Sequence, residues 1–122
     1  MATVRFTLEG LAVEVPLGKS ILDAAKAAGA PEGSHCGGVC ACSTCHVVVT
    51  QGFELLEPAD EIELDLLEMT EEREETSRLG CQAVIRRPGH IEVTISDESF
   101  QTWLDMNERD RDRALRLRGI ID

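Results

Sequence analysis

The chain has 122 residues, a net charge of −11 and four aromatic side chains, Phe6, Phe53, Phe100 and Trp103, with no tyrosine. Nucleic-acid binding is excluded on two grounds, because phosphate contacts need Lys and Arg and base stacking needs aromatic rings. The length suits one domain with a modest core and a tail, and no apolar run approaches a membrane span.

Met1 leads directly into a strand-like pattern, without the basic and apolar regions of a secretory signal. Five cysteines in that context point to a reducing compartment, here the cytoplasm. Clustered thiols there bind metal or do redox chemistry rather than staple a fold.

Residues 3–9 alternate, with Val4, Phe6 and Leu8 on one face and Thr3, Arg5, Thr7 and Glu9 on the other, which predicts a half-buried strand. Gly10 breaks it, and Val13 and Val15 form the second arm of a hairpin that Pro16 and Gly18 end. Ser20 caps a helix, with Asp23 three positions on as its capping-box partner. Ile21, Leu22, Ala25 and Ala28 form the apolar stripe of this helix, and Gly29 stops it.

After the thiol-rich stretch, His46 to Thr50 is short and β-branched, the signature of a central strand. Residues 58–69 read as a helix opened by Pro58, with Ile62, Leu66 and Met69 facing the core. Residues 70–80 read as irregular, and Cys81 opens a strand through Ala83 to Arg86. Ile91, Val93 and Ile95 alternate in a last strand. The order β-β-α-loop-β-α-β-β predicts an α+β fold, a mixed sheet with a helix packed on it. The expected division is a domain at 1–96 and a charged helical tail at 97–122. Phe100, Trp103 and Leu104 could dock that tail on the domain.

Four cysteines fall in ten residues, Cys36, Cys40, Cys42 and Cys45, and Cys81 stands alone downstream. Such a stretch has little apolar surface to bury, and ordering its glycines is entropically costly unless it binds something. Five residues separate Cys36 from Cys42, two separate Cys42 from Cys45, and thirty-five separate Cys45 from Cys81. Three close thiolates and a remote one is the pattern of Cys₄ iron–sulfur sites. Gly37 and Gly38 let backbone N–H groups approach the cluster sulfurs. Two other readings use these thiols: a local zinc site of Cys36, Cys40, Cys42 and Cys45, and a redox dithiol at Cys42 and Cys45.

The run from Cys36 to His46, followed by Arg78-Leu79-Gly80-Cys81-Gln82, resembles the adrenodoxin-type 2Fe-2S ferredoxins over roughly residues 2–96. That resemblance implies a β-grasp fold, one 2Fe-2S cluster and one-electron transfer without substrate chemistry. It implies Cys36, Cys42, Cys45 and Cys81 as the cluster ligands, which leaves Cys40 outside the ligand set. It also implies a structural His46 beneath the loop. The extra Cys40 resembles the bacterial ferredoxins of iron–sulfur cluster assembly. The zinc reading leaves Cys81 idle and the Arg78–Gln82 match unexplained.

Residues 54–75 hold eleven acids against the single base Arg73. Glu61, Asp65 and Glu68 share one helical face, and they match the positions that adrenodoxin-type ferredoxins present to basic partners. The sequence therefore predicts a soluble, monomeric electron carrier. It accepts an electron from an NAD(P)H-dependent ferredoxin reductase and passes it to iron–sulfur assembly proteins. The alternatives are an electron donor to a haem monooxygenase and, from another class, a zinc-stabilised protein-interaction module.

Overall fold

In the computed structural model, which describes residues 1–30, 46–68 and 76–119, five strands form one mixed sheet ordered β2-β1-β5-β3-β4. Strands β1 (Ala2–Phe6) and β2 (Leu11–Val15) form the hairpin, and β1 also runs parallel to β5 (Gly89–Ile95). Strand β3 (His46–Gln51) lies between β5 and β4 (Ser77–Leu79), antiparallel to both. Ala2, Val4, Phe6, Val47, Val49, Ile91, Val93 and Ile95 point to one side of the sheet and form its core.

The hairpin departs from its expected length. Strand β1 ends at Phe6, where the Gly10 N–H donates to the Phe6 carbonyl at 2.9 Å. Beyond that point the two-residue alternation no longer sets facing. Leu8 is 47 % exposed, and Glu9 is buried instead.

Helix α1 (Ile21–Ala28) follows its sequence signals. The Ser20 hydroxyl accepts from the Asp23 N–H, the Asp23 carboxylate accepts from the Ser20 N–H, and Gly29 closes the helix at φ 74°. Its buried residues are Ile21, Leu22, Ala24 and Ala25. Gly52, at φ 82°, turns the chain after β3, and a Cβ there would lie 2.6 Å from the His90 carbonyl oxygen. The site thus demands glycine for both its dihedral and its closeness.

Helix α2 (Glu61–Glu68) starts later than Pro58, because the Asp60 carboxylate caps it by accepting from the Glu63 N–H at 2.8 Å. Its inward face is also not the expected one. Glu63 and Leu67 are buried, Ile62 is 62 % exposed, and Leu66 is half-buried beside Leu67. Met69 lies outside the described residues. The reason is the partner: Arg78 offers α2 a buried charge, so an acid takes the inner position an apolar residue was expected to fill.

Strand β4 lies before Cys81, at Ser77–Leu79, in a stretch whose polar composition predicts irregular structure. Ser77 and Arg78 look like loop residues, but both are buried with partners. The expected strand after Cys81 reduces to two isolated bridges, Ser20 with Val84 and Leu56 with Ile85.

Ser96 caps α3 (Asp97–Met106) by accepting from the Ser99 N–H at 3.1 Å. Phe100 and Leu104 of α3, and Ala114 of α4 (Arg111–Leu117), join the sheet's main core. Arg118 then turns inward. It donates to the Ile95 carbonyl at 2.8 Å, stacks 4.2 Å above the Phe100 ring and pairs with Glu9 at 3.3 Å. Burial pushes the Glu9 carboxyl pKa up, against the opposing pull of the Arg118 charge.

Candidate metal centre

Cys81 sits in the turn that follows β4, and this turn is fastened to the start of α1. The N–H groups of Gln82 and Ala83 both donate to the Leu79 carbonyl at 2.9 Å. The Ile21 and Leu22 N–H groups, which have no partner within their own helix, donate to the carbonyls of Ala83 and Gly80 at 3.0 Å each. The turn satisfies the helix start, and the helix start fixes the turn.

The Cys81 thiol is half-buried against the small apolar group of Leu66, Leu67 and Leu79. The Gln82 side-chain amide donates toward its sulfur at 3.7 Å. A thiol partly screened from water and facing an N–H donor is suited to carry negative charge, as a ligand to an iron–sulfur cluster must. The described donor chemistry therefore fits such a cluster. When bound, the cluster supplies a centre that takes up and gives back one electron.

Of the expected ligands, only Cys81 is described; Cys36, Cys42 and Cys45, and the extra Cys40, lie outside the described residues. Accordingly, no group of three metal-binding side chains occurs among the described residues. The described chain nevertheless resumes beside Cys81. His46, covalently next to Cys45, pairs with Leu79, two residues before Cys81. The His46 ring is buried, and its Nε2 lies 2.7 Å from the Ser77 hydroxyl. Burial lowers its pKa, which favours a neutral ring joining β3 to β4.

The structure adds a feature the sequence reading missed. Arg78 and Glu63 form a buried, two-pronged ion pair, with Nε–Oε2 at 2.6 Å and Nη2–Oε1 at 3.0 Å. Glu63 Oε2 also accepts from the Leu79 N–H at 3.1 Å, and Arg78 Nη1 donates to the Glu57 carbonyl at 2.7 Å. This network bolts α2 to the strand that leads into Cys81. The available sequence signal is Arg78 itself, a charged residue directly before Leu-Gly-Cys. Glu61, Asp65 and Glu68 all lie exposed on the opposite face of α2.

The mixed sheet with helices packed on it presents a half-buried cysteine fastened between β4 and the start of α1. The profile of the 2Fe-2S iron-sulfur cluster binding domain matches residues 6–86. A 2Fe-2S ferredoxin of Pseudomonas aeruginosa is 46 % identical over 77 residues, spanning 63 % of this chain and 69 % of the relative. The mitochondrial adrenodoxin homolog of Saccharomyces cerevisiae is 48 % identical over 71 residues, spanning 57 % of this chain and 41 % of the relative.

Among solved structures, an ISC-like 2Fe-2S ferredoxin from Pseudomonas putida superposes with a TM-score of 0.69 at 42 % identity, covering 79 % of this chain and 93 % of that one. Reduced putidaredoxin from Pseudomonas putida superposes with a TM-score of 0.68 at 31 % identity, covering 80 % and 99 %.

The chain belongs to the 2Fe-2S ferredoxin family, with the β-grasp fold and one 2Fe-2S cluster. Its relatives are electron carriers of the ferredoxin and adrenodoxin kind. Among the described residues no helix is long and apolar enough to cross a membrane.

Proposed function

We propose that this protein is a cytoplasmic, monomeric one-electron shuttle that accepts an electron from an NAD(P)H-dependent ferredoxin reductase and delivers it to iron–sulfur assembly proteins. It transforms no substrate itself. Cys36, Cys42, Cys45 and Cys81 hold the cluster. Glu61, Asp65 and Glu68 steer partners to it.

The observation that carries this reading is the set of three exposed carboxylates on α2, a helix tied through Glu63 and Arg78 to the strand preceding Cys81. A partner drawn to that face meets a helix that packs, through Leu66 and Leu67, against Cys81. Complementary charge raises the association rate more than the affinity, which suits a shuttle that must bind and leave quickly. A covalent putidaredoxin reductase–putidaredoxin complex is among the structural neighbours, with a TM-score of 0.65 at 29 % identity, and it supports a reductase as partner. The 42 % identity to a ferredoxin described as ISC-like supports iron–sulfur assembly proteins as the acceptor.

The test is stopped-flow reduction of the holoprotein by a reductase that turns it over. The rate is expected to fall steeply with added salt, and Asp65→Lys to slow it at low salt only. A salt-independent rate refutes docking through α2. Cys81→Ser is expected to abolish the native visible bands and the S = 1/2 signal seen on reduction. A colourless wild-type protein with stoichiometric zinc overturns the whole reading. Reconstitution with assembly proteins and with a haem monooxygenase decides the acceptor.

A further inference from the structure

Ile62 and Leu64 are 62 % and 42 % exposed on α2. The helix has eight residues and four aliphatic side chains, Ile62, Leu64, Leu66 and Leu67. Leu66 and Leu67 serve the fold by packing with Leu79 and Cys81, whereas among the described residues Ile62 and Leu64 belong to neither apolar core. The described core therefore does not explain them.

Their placement is specific. A helix turns about 100° per residue, so Glu61, Asp65 and Glu68 form one crest, opposite buried Glu63 and Leu67. Ile62 and Leu64 then stand on the two shoulders of that crest, one on each side. The helix beneath is held by the Arg78–Glu63 bonds and the Asp60 cap, so the shoulders are presented in a fixed arrangement. A second copy is a poor occupant for this surface, because it would bring two carboxylate crests together. Charge complementarity instead selects a partner protein with Lys or Arg placed to meet the crest and apolar sockets beside them.

We propose that Ile62 and Leu64 are the anchoring residues of the partner interface, and that they set how long a complex lasts while the carboxylates set how fast it forms. This rests on the reading of α2 as the docking face. Steering charges act over a distance and are screened by salt, whereas aliphatic side chains act on contact and are not. A few desolvated side chains commonly carry most of the affinity of such an interface.

The experiment uses the holoprotein and the reductase that reduces it, with association and dissociation rates read by surface binding at low and high salt. The double variant Ile62→Gln with Leu64→Gln is expected to dissociate at least about tenfold faster at both salt levels, with an association rate within about twofold of wild type. Asp65→Lys is expected to show the converse, slower association at low salt and little change at high salt.

A wild-type dissociation rate in the double variant overturns the inference, as does a wild-type dimer in solution that the double variant abolishes. If wild-type association ignores salt, the docking reading itself fails, and that result is distinct from the other two. Visible absorbance and melting confirm that each variant keeps its cluster. Should the double variant lose its cluster, the single variants Ile62→Gln and Leu64→Gln carry the same test.

Discussion

Arg78→Met tests how much of this fold depends on one buried charge pair. The substitution preserves an unbranched side chain but removes both bonds to Glu63, at 2.6 and 3.0 Å, and the bond to the Glu57 carbonyl at 2.7 Å. Among the described residues Glu63, 1 % exposed, then keeps only the Leu79 N–H at 3.1 Å. Stranding one member of a buried ion pair costs about 3–5 kcal/mol. Cluster loss makes unfolding irreversible, so the measurement is the unfolding rate in urea, followed by visible absorbance and far-ultraviolet dichroism.

If only half of about 3 kcal/mol appears in the unfolding barrier, the rate rises about tenfold or more. The double variant Arg78→Met with Glu63→Leu removes the stranded charge, although it leaves the Leu79 N–H and the Glu57 carbonyl to be satisfied otherwise. It is expected to unfold no faster than the single variant. An Arg78→Met rate within about threefold of wild type, or strictly additive effects in the two substitutions, would refute the reasoning.

Leu104→Ala is expected to destabilise the protein by about 2–5 kcal/mol, as in any filled core, because Leu104 is 2 % exposed within the sheet's main core. An unfolding rate within about twofold of wild type in the same urea assay would show that α3 contributes little to that core. Glu9 makes a pH-dependent prediction. Its pKa is raised above 4.5 by burial, so the stability it contributes is fully present below that value. The contribution is lost as pH rises through the higher folded-state pKa. Wild type should therefore hold its greatest advantage over Glu9→Gln in acid and lose it toward neutrality, read as unfolding rates compared between about pH 4 and about pH 8. An advantage that grows with pH would reverse the assignment.

The sequence by itself determined whatever depends on local pattern. The capping box at Ser20 and Asp23, the Gly29 stop, and the alternation of Ile91, Val93 and Ile95 are short-range devices that need no distant partner. The cysteine spacing and the Arg78–Gln82 run likewise identified the family, because cluster chemistry dictates residue types. The exposed register of Glu61, Asp65 and Glu68 was legible because helical periodicity places all three together.

Only the tertiary structure decided the facing of side chains whose partners lie far along the chain. Glu63 is buried because Arg78, fifteen residues later, awaits it, and this turned Ile62 outward against the pattern. Ser77 and Arg78 became a strand because β3 lay alongside to pair with them, although their composition reads as loop. Glu9 went inside because the chain had turned after Phe6 and because Arg118 returned from the far end of the chain to meet it. In each case a polar residue was buried by a partner, and hydrophobic periodicity carries no signal for that.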